Sequence, residues 1–401
     1  MEEYLPRIAD KLLEDRLEAK GAVLIEGPKW CGKTTTAKQM AKSIISMDKP
    51  DETKQYQQIA ELSPNILLKG EVPRLIDEWQ IAPNLWNAVR YEVDNRDKFG
   101  QFILTGSAVP AEFDDSMHSG TGRISRLLMR PMSLYESKDS SGKVSLKDLF
   151  EGKDISAVDD TNFEEIAFLI CRGGWPKAIG LKEKIALFQS IDYYDAVIST
   201  DISRVDSIKR DKEKAKRLLR SYARHVGSQS SLETIRQDML VNQDDTFDQG
   251  TLYSYLDALK KIFVIEDSPA WNPNLRSRTS IRTTDTRYFI DSSIATAALG
   301  IGPKDLLSDL NTMGFLFENL CIGEWRIYKD YVNWSYGLIE IKLGGDKLIE
   351  EGAKTLKDLA SKIDTKRMPE PSFMAILCAK APFAYRRSDG VYVIPVTTLK
   401  F

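Results

Sequence analysis

Histidine is almost missing from this chain of 401 residues, with only His118 and His225, and cysteine is scarce: Cys31, Cys171, Cys321 and Cys378 stand far apart and make no C-x-x-C pair. Neither a zinc site nor a disulfide framework fits so thin and scattered a set. Long apolar runs are missing too. No stretch approaches 18 uncharged apolar residues, and Met1 to Lys20 is charged and helical in pattern. A membrane span and a secretory leader are therefore not expected, and the expected location is cytoplasmic with no membrane partner. An excess of one charge is also absent: the net charge is −3, which gives no global pull toward nucleic acid and leaves only local binding. There is no internal repeat and no long low-complexity tract. The 42% of apolar residues is enough for two or three domains that each bury a core.

What is present begins with Gly27-Pro28-Lys29-Trp30-Cys31-Gly32-Lys33-Thr34, a G-x-x-x-x-G-K-T pattern between the apolar run Ala22 to Ile25 and the helix-forming Thr36 to Lys42. Strand, glycine loop and helix in that order suit a phosphate-binding loop. Glycines let backbone N–H groups wrap the phosphates, Lys33 reaches the β and γ oxygens, and the Thr34 hydroxyl ligates magnesium. Gly27, Pro28, Cys31, Gly32, Lys33, Thr34 and Thr35 are the expected nucleotide contacts, with ATP and Mg2+ as cofactors. Cys31, inside the loop, reads either as a redox-sensitive thiol or as a tolerated variable position.

Two further strand ends carry chemistry. Arg74-Leu75-Ile76-Asp77-Glu78-Trp79 is a short apolar strand ending in adjacent carboxylates and resembles a Walker B box. Asp77 would hold the hydrated magnesium, and Glu78 would orient and polarise the attacking water. Gln101-Phe102-Ile103-Leu104 ends in Thr105-Gly106-Ser107, where a hydroxyl, assigned to Thr105, could sense the γ-phosphate. Without the phosphate loop, the same residues would read as ordinary strand-to-turn junctions.

Taken in order, these pieces resemble a family of bacterial and archaeal ATPases with an N-terminal AAA-type domain and a C-terminal domain long left uncharacterised. Beside the loop and the two strand ends, the residues carrying the resemblance are Tyr4-Leu5-Pro6-Arg7, Gln80, Gly120-Thr121-Gly122-Arg123, Arg130-Pro131-Met132-Ser133-Leu134-Tyr135-Glu136 and Gly173-Gly174-Trp175-Pro176. The resemblance implies that Gly174 and Pro176 form a turn over the adenine, at the entrance to a helical lid. Read alone, the same turn is a helix stop after Phe163 to Arg172. Arg123 and Arg126, in a Gly/Ser-rich loop, could deliver a guanidinium to the γ-phosphate in cis or from a neighbouring subunit, or could simply be solvated.

Beyond the first three strands, 137–160 is a polar linker or excursion, and Phe163 to His225 is mostly helical in pattern. Helices at Ala215 to His225, Leu232 to Met239 and Thr251 to Lys261, then a strand at Ile262 to Ile265, suit a winged helix. A basic run from Lys209 to Arg224 lies beside it, so DNA contact and packing or subunit contact are both open. At the C-terminal end, the resemblance points to a restriction-endonuclease-like fold. Glu318 would sit on a helix at Gly314 to Ile327, and Glu340 and Lys342 on one face of a strand at Gly337 to Leu343. The acidic hairpin that the family places before that strand is missing, and Asp330 is the only nearby substitute. The nuclease-like site is therefore expected to be inactive.

The expected architecture is α/β: an AAA-type P-loop NTPase domain with a parallel sheet at 1–160, a helical lid at 161–210, a winged-helix-like domain at 211–290, and a truncated nuclease-like α/β domain at 291–401. The expected activity is Mg-dependent ATP hydrolysis, possible as a homo-oligomer and coupled to DNA or a protein partner. The alternative is a nucleotide-switched regulatory or DNA-binding protein with slow hydrolysis.

Overall fold

The computed structural model describes residues 4–109, 120–206, 208–240, 247–271, 284–328, 336–365 and 368–400. The chain divides into two compact units. The first comprises Met1–Pro131, Ser199–Arg210 and Ser254–Val264, and the second comprises Met132–Ile198, Asp211–Tyr253 and Ile265–Phe401.

In the first unit, five parallel strands stand in the order β2-β3-β4-β1-β5: β1 (Ala22–Glu26), β2 (Ser43–Ser46), β3 (Arg74–Asp77), β4 (Phe102–Gly106) and β5 (Ile124–Leu128). The strands are short apolar runs because a parallel sheet is covered on both faces. Successive side chains alternate between two cores. Leu24, Ile76 and Leu104 join Trp79 and Trp86 on one face. On the other face, Val23, Ile25, Leu75 and Ile103 join Leu13 of α1 (Ile8–Ala19) and Ala37 of α2 (Lys33–Met40). Each such aliphatic side chain contributes about 1.5–3 kcal/mol by leaving water. α3 (Thr53–Leu62) and α4 (Leu85–Arg96) complete the connections. This strand–loop–helix unit in a parallel sheet is a P-loop α/β fold.

Register sets where the chemistry falls. Ile25 pairs with Thr105 across β1 and β4, and Ile76 with Leu104 across β3 and β4. The strands therefore finish level, and the loops after β1, β3 and β4 leave one edge together. Ligands of open α/β sheets bind at that edge, beyond the carboxyl ends of the strands.

In the second unit, the excursion expected as a linker is packed structure. It supplies β6 (Val144–Ser145), α5 (Leu146–Phe150) and β7 (Ala157–Val158). Val144, Leu149 and Ala157 are buried, so the apolar residues scattered among its polar ones outweigh the polar composition. Next come α6 (Phe163–Arg172), α7 (Glu183–Ala196), and the short α8 (Ile202–Arg204), which belongs to the first unit. α9 (Lys212–Arg224) and α10 (Leu232–Met239) form near the expected positions, as does α11 (Gln249–Lys261), whose residues from Ser254 on belong to the first unit.

The expected strand after α11 does not form. Phe263 turns back with φ 58°, and only Ile265 joins an antiparallel bridge, to Phe289, with a second bridge from Ser268 to Thr286. Between α9 and α10, the Gly227 N–H donates to the Arg287 carbonyl and the Arg287 N–H to the Ser228 carbonyl, each at 3.0 Å. The small-residue helix α12 (Ser292–Leu299) is buried on most of its surface. α13 (Pro303–Ser308) and α14 (Leu310–Tyr328) follow it.

A mixed sheet in the order β7-β10-β11-β9-β8 closes the chain: β8 (Gly337–Gly344), β9 (Phe373–Lys380), β10 (Phe383–Arg386) and β11 (Tyr392–Pro395). α15 (Asp346–Ala360) packs on it through Ile349, Ala353 and Leu356. β12 (Leu399–Lys400) pairs with β6.

Candidate nucleotide-binding site

The loop after β1 requires its glycines. A Cβ on Gly27 would lie 2.0 Å from the Met129 carbonyl, and Gly32 caps α2 with φ 101°, a left-handed conformation that glycine adopts freely. Lys33 is buried, and its Nζ donates to the carbonyls of Gly27 at 3.0 Å and Pro28 at 2.7 Å. The cation is thus folded back across the mouth of the loop. Beside it, the Thr34 hydroxyl donates to Asp77 Oδ1 at 2.7 Å, and the Thr105 hydroxyl donates to the same oxygen.

Glu78 adopts a left-handed backbone with φ 55° and ψ 45°, and its N–H donates to Thr105 Oγ1 at 3.3 Å. Its carboxylate Oε2 accepts from Ser107 Oγ at 3.1 Å and from Gln80 Nε2. Lys33, Thr34, Asp77, Glu78 and Thr105 therefore converge at the carboxyl edge of the sheet. Thr35 lies one residue on, exposed on α2.

Several contacts hold the loop that the sequence did not reveal. Buried Arg7 donates from Nη1 to the Cys31 carbonyl at 2.8 Å and from Nη2 to the Arg130 carbonyl at 2.9 Å. Cys31 is itself buried, with Sγ 3.4 Å from the Met129 carbonyl. Lys29 Nζ reaches Asp201 Oδ1 at 2.5 Å. Arg7 was visible only as part of a motif string, and nothing in the sequence linked Lys29 to a residue so far along the chain. At the end of β1, burial raises the carboxyl of Glu26, opposed by the Arg126 guanidinium at 3.2 Å.

Arg123 is not brought to the loop. Its carbonyl accepts the Ala22 N–H at the start of β1, whereas the phosphate loop leaves the other end of that strand, roughly 15 Å away at the strand rise per residue. Its guanidinium pairs with Asp94 at 2.7 Å. Arg126 instead pairs with Glu26 and lies over the Trp86 ring.

Gly174 and Pro176 belong to the second unit. Gly173 stops α6 with φ 70°. The Gly174 N–H donates to Asp291 Oδ2 at 2.9 Å and its carbonyl accepts from Met132 at 2.7 Å. Trp175 is buried, stacked on Tyr193, with Nε1 donating to Ser293 Oγ at 2.9 Å. Pro176 opens a turn of 3-10 helix.

Three members of the C-terminal constellation, Glu318, Glu340 and Lys342, lie near enough for their charges to act on one another. Lys342 Nζ lies 2.8 Å from Glu340 Oε1 on β8. Glu318 on α14 accepts the Tyr288 hydroxyl. Burial raises its carboxyl, the Tyr288 bond lowers it, the charge of Glu340 raises it further and that of Lys342 lowers it. Asp330 lies outside the described residues.

Residues 19–138 match the family model of an AAA domain, and residues 163–305 match a domain of unknown function, DUF8612. The first match supports an AAA-type P-loop ATPase family and, with it, nucleotide binding. No curated protein matches the chain. Three of the solved structures that match illustrate how weak the likeness is. The Pyrococcus furiosus Hef helicase domain is 12% identical, covering 94% of this chain and 90% of that one, with TM-score 0.23. Drosophila ORC bound to DNA is 12% identical, covering 73% and 85%, with TM-score 0.20. A DNA polymerase III gamma-subunit-related protein from Thermotoga maritima is 12% identical, covering 80% and 100%, with TM-score 0.22. Scores this low carry no argument about this chain. Among the described residues, no helix is long and apolar enough to cross a membrane.

Proposed function

We propose that this protein binds ATP at the Gly27–Thr34 loop and hydrolyses it. The observation that carries the reading is the meeting of Thr34 and Thr105 hydroxyls on Asp77, beside a buried lysine and an adjacent Glu78. A hydroxyl and a carboxylate oxygen 2.7 Å apart are hard oxygen donors of the kind magnesium takes. Thr34 and Asp77 would hold the ion, which when bound neutralises charge on the β and γ oxygens.

The remaining roles belong to the chain. Loop N–H groups cradle the phosphates at the start of α2, and Lys33 exchanges its two carbonyl partners for phosphate oxygens. Glu78 accepts a proton as water attacks the γ-phosphorus, and the bond from that phosphorus to the β,γ-bridging oxygen breaks to leave ADP. Thr105, between Asp77 and the Glu78 N–H, reports the γ-phosphate to both. Arg123, held 15 Å or so from its own loop, is proposed to act on a neighbouring subunit of a homo-oligomer.

The helices α9 and α10 and the antiparallel bridges Ile265–Phe289 and Ser268–Thr286 support a winged-helix-like module, and with it a DNA or protein partner coupled to turnover. An active nuclease in the second unit stays the less favoured reading, because the sequence offers no acidic hairpin before β8 to join Glu318, Glu340 and Lys342. The test of the proposal is binding of a fluorescent ATP analogue to wild type and Lys33→Ala. Tight binding by wild type and at least a hundredfold loss in the variant is expected, and equal binding would overturn the assignment.

A further inference from the structure

Two side chains with no assigned role, Gln80 and Ser107, close on the carboxylate of Glu78. Ser107, buried at the end of β4, donates its hydroxyl to Glu78 Oε2 at 3.1 Å. Gln80, two residues after Glu78, donates from Nε2 to the same oxygen, and its Nε2 also lies 3.4 Å from Ser107 Oγ. Both bonds land on one oxygen. No hydrogen bond from the described residues reaches Glu78 Oε1, the other half of the carboxylate.

The orientation of the Gln80 amide is costly in itself. Its Oε1 is buried and has no hydrogen-bond partner among the described residues. A buried acceptor left unpaired is disfavoured and calls for a reason. Turning the amide over would point its oxygen at the carboxylate, so the orphan follows from giving the N–H to Glu78. Gly106 makes room for this arrangement. A Cβ there would lie 3.1 Å from Gln80 Oε1 and 2.9 Å from Trp79 Nε1. Glu78 meanwhile sits in a left-handed backbone conformation that non-glycine residues rarely hold without support from their surroundings.

We infer that Gln80 and Ser107 are positioning residues that pin Glu78 by Oε2, so that Oε1 alone faces the water that attacks ATP. This rests on the proposed ATPase reading and adds how its base is aimed. Two donors on one oxygen fix the carboxylate plane and choose which lone pairs remain for a proton. These contacts run to Glu78 and between the two residues rather than to the Gly27–Thr34 loop, so their loss should misaim the base and leave binding alone.

The test is steady-state phosphate release and equilibrium ATP-analogue binding on the full chain, for wild type, Gln80→Ala, Ser107→Ala and Ser107→Thr. The inference expects kcat to fall about tenfold or more in each alanine variant, with KM and Kd within about twofold of wild type. Ser107→Thr, which keeps the hydroxyl, should restore most of the rate and control for folding. Wild-type kcat in either alanine variant would overturn the inference while leaving the ATPase reading intact. So would equal losses in kcat and binding, or a threonine variant as slow as alanine. No turnover by wild type would overturn the ATPase reading, and this inference with it.

Discussion

Asp77 Oδ1 receives two hydroxyls, and each comes from a different strand end. That convergence turns three separate sequence hints into one site. It was legible because each hint stood at the carboxyl end of an apolar run, and level strand ends follow from parallel register. The contacts of Gln80 and Ser107 with Glu78 were not legible, since side-chain aim depends on a left-handed residue that no local pattern announces. The four cysteines show another residue-scale effect. All are buried, and burial pushes the Cys171 and Cys378 thiols up to about 12. At pH 8, a maleimide should therefore leave the native protein almost unlabelled over minutes and modify all four thiols in guanidinium. One thiol labelled at once in native protein would contradict this and revive a reactive reading of Cys31.

At the scale of elements, helices were legible where apolar periodicity and stop signals agreed. Leu232–Met239 and Phe163–Arg172 form as read, the latter closed by Gly173. Ile262 to Ile265 shows the limit: four apolar residues suit a strand, but Phe263 at φ 58° makes a turn. α14 carries a testable consequence of burying an acid. Burial raises the Glu318 carboxyl above its unfolded value of about 4.3, so the folded chain holds that proton more tightly. Stability is then undiminished below about pH 4.3 and falls as pH rises through the folded value. Gln can still accept from Tyr288. Glu318→Gln should melt close to wild type at pH 4 and above it at pH 7.5, by a few degrees at most. A gap that is constant with pH, or that reverses, would refute the direction.

At the scale of the whole molecule, the first unit is assembled from three stretches, with Ser199–Arg210 and Ser254–Val264 returning to Met1–Pro131. A reading that moves along the chain cannot see such returns, because they depend on long-range contacts. The placement of Arg123 also bears on assembly. It pairs with Asp94 at the amino end of the sheet, so any role at a γ-phosphate must be played on another copy. Mixing Arg123→Ala with Glu78→Gln should then restore part of the turnover that each lacks alone, since a hybrid interface keeps one intact half from each. Sedimentation with ATP should show an oligomer. A strictly monomeric protein, or no recovery on mixing, would remove Arg123 from the site.

The central claim is that Glu78 activates water at a nucleotide held by the Gly27–Thr34 loop. Its most direct test is phosphate release by Glu78→Gln beside its equilibrium binding of ATP with magnesium. The variant should bind ATP within about twofold of wild type and release phosphate at least a hundredfold more slowly, because an amide cannot take the proton from water. Phosphate release by Glu78→Gln at the wild-type rate would contradict the account.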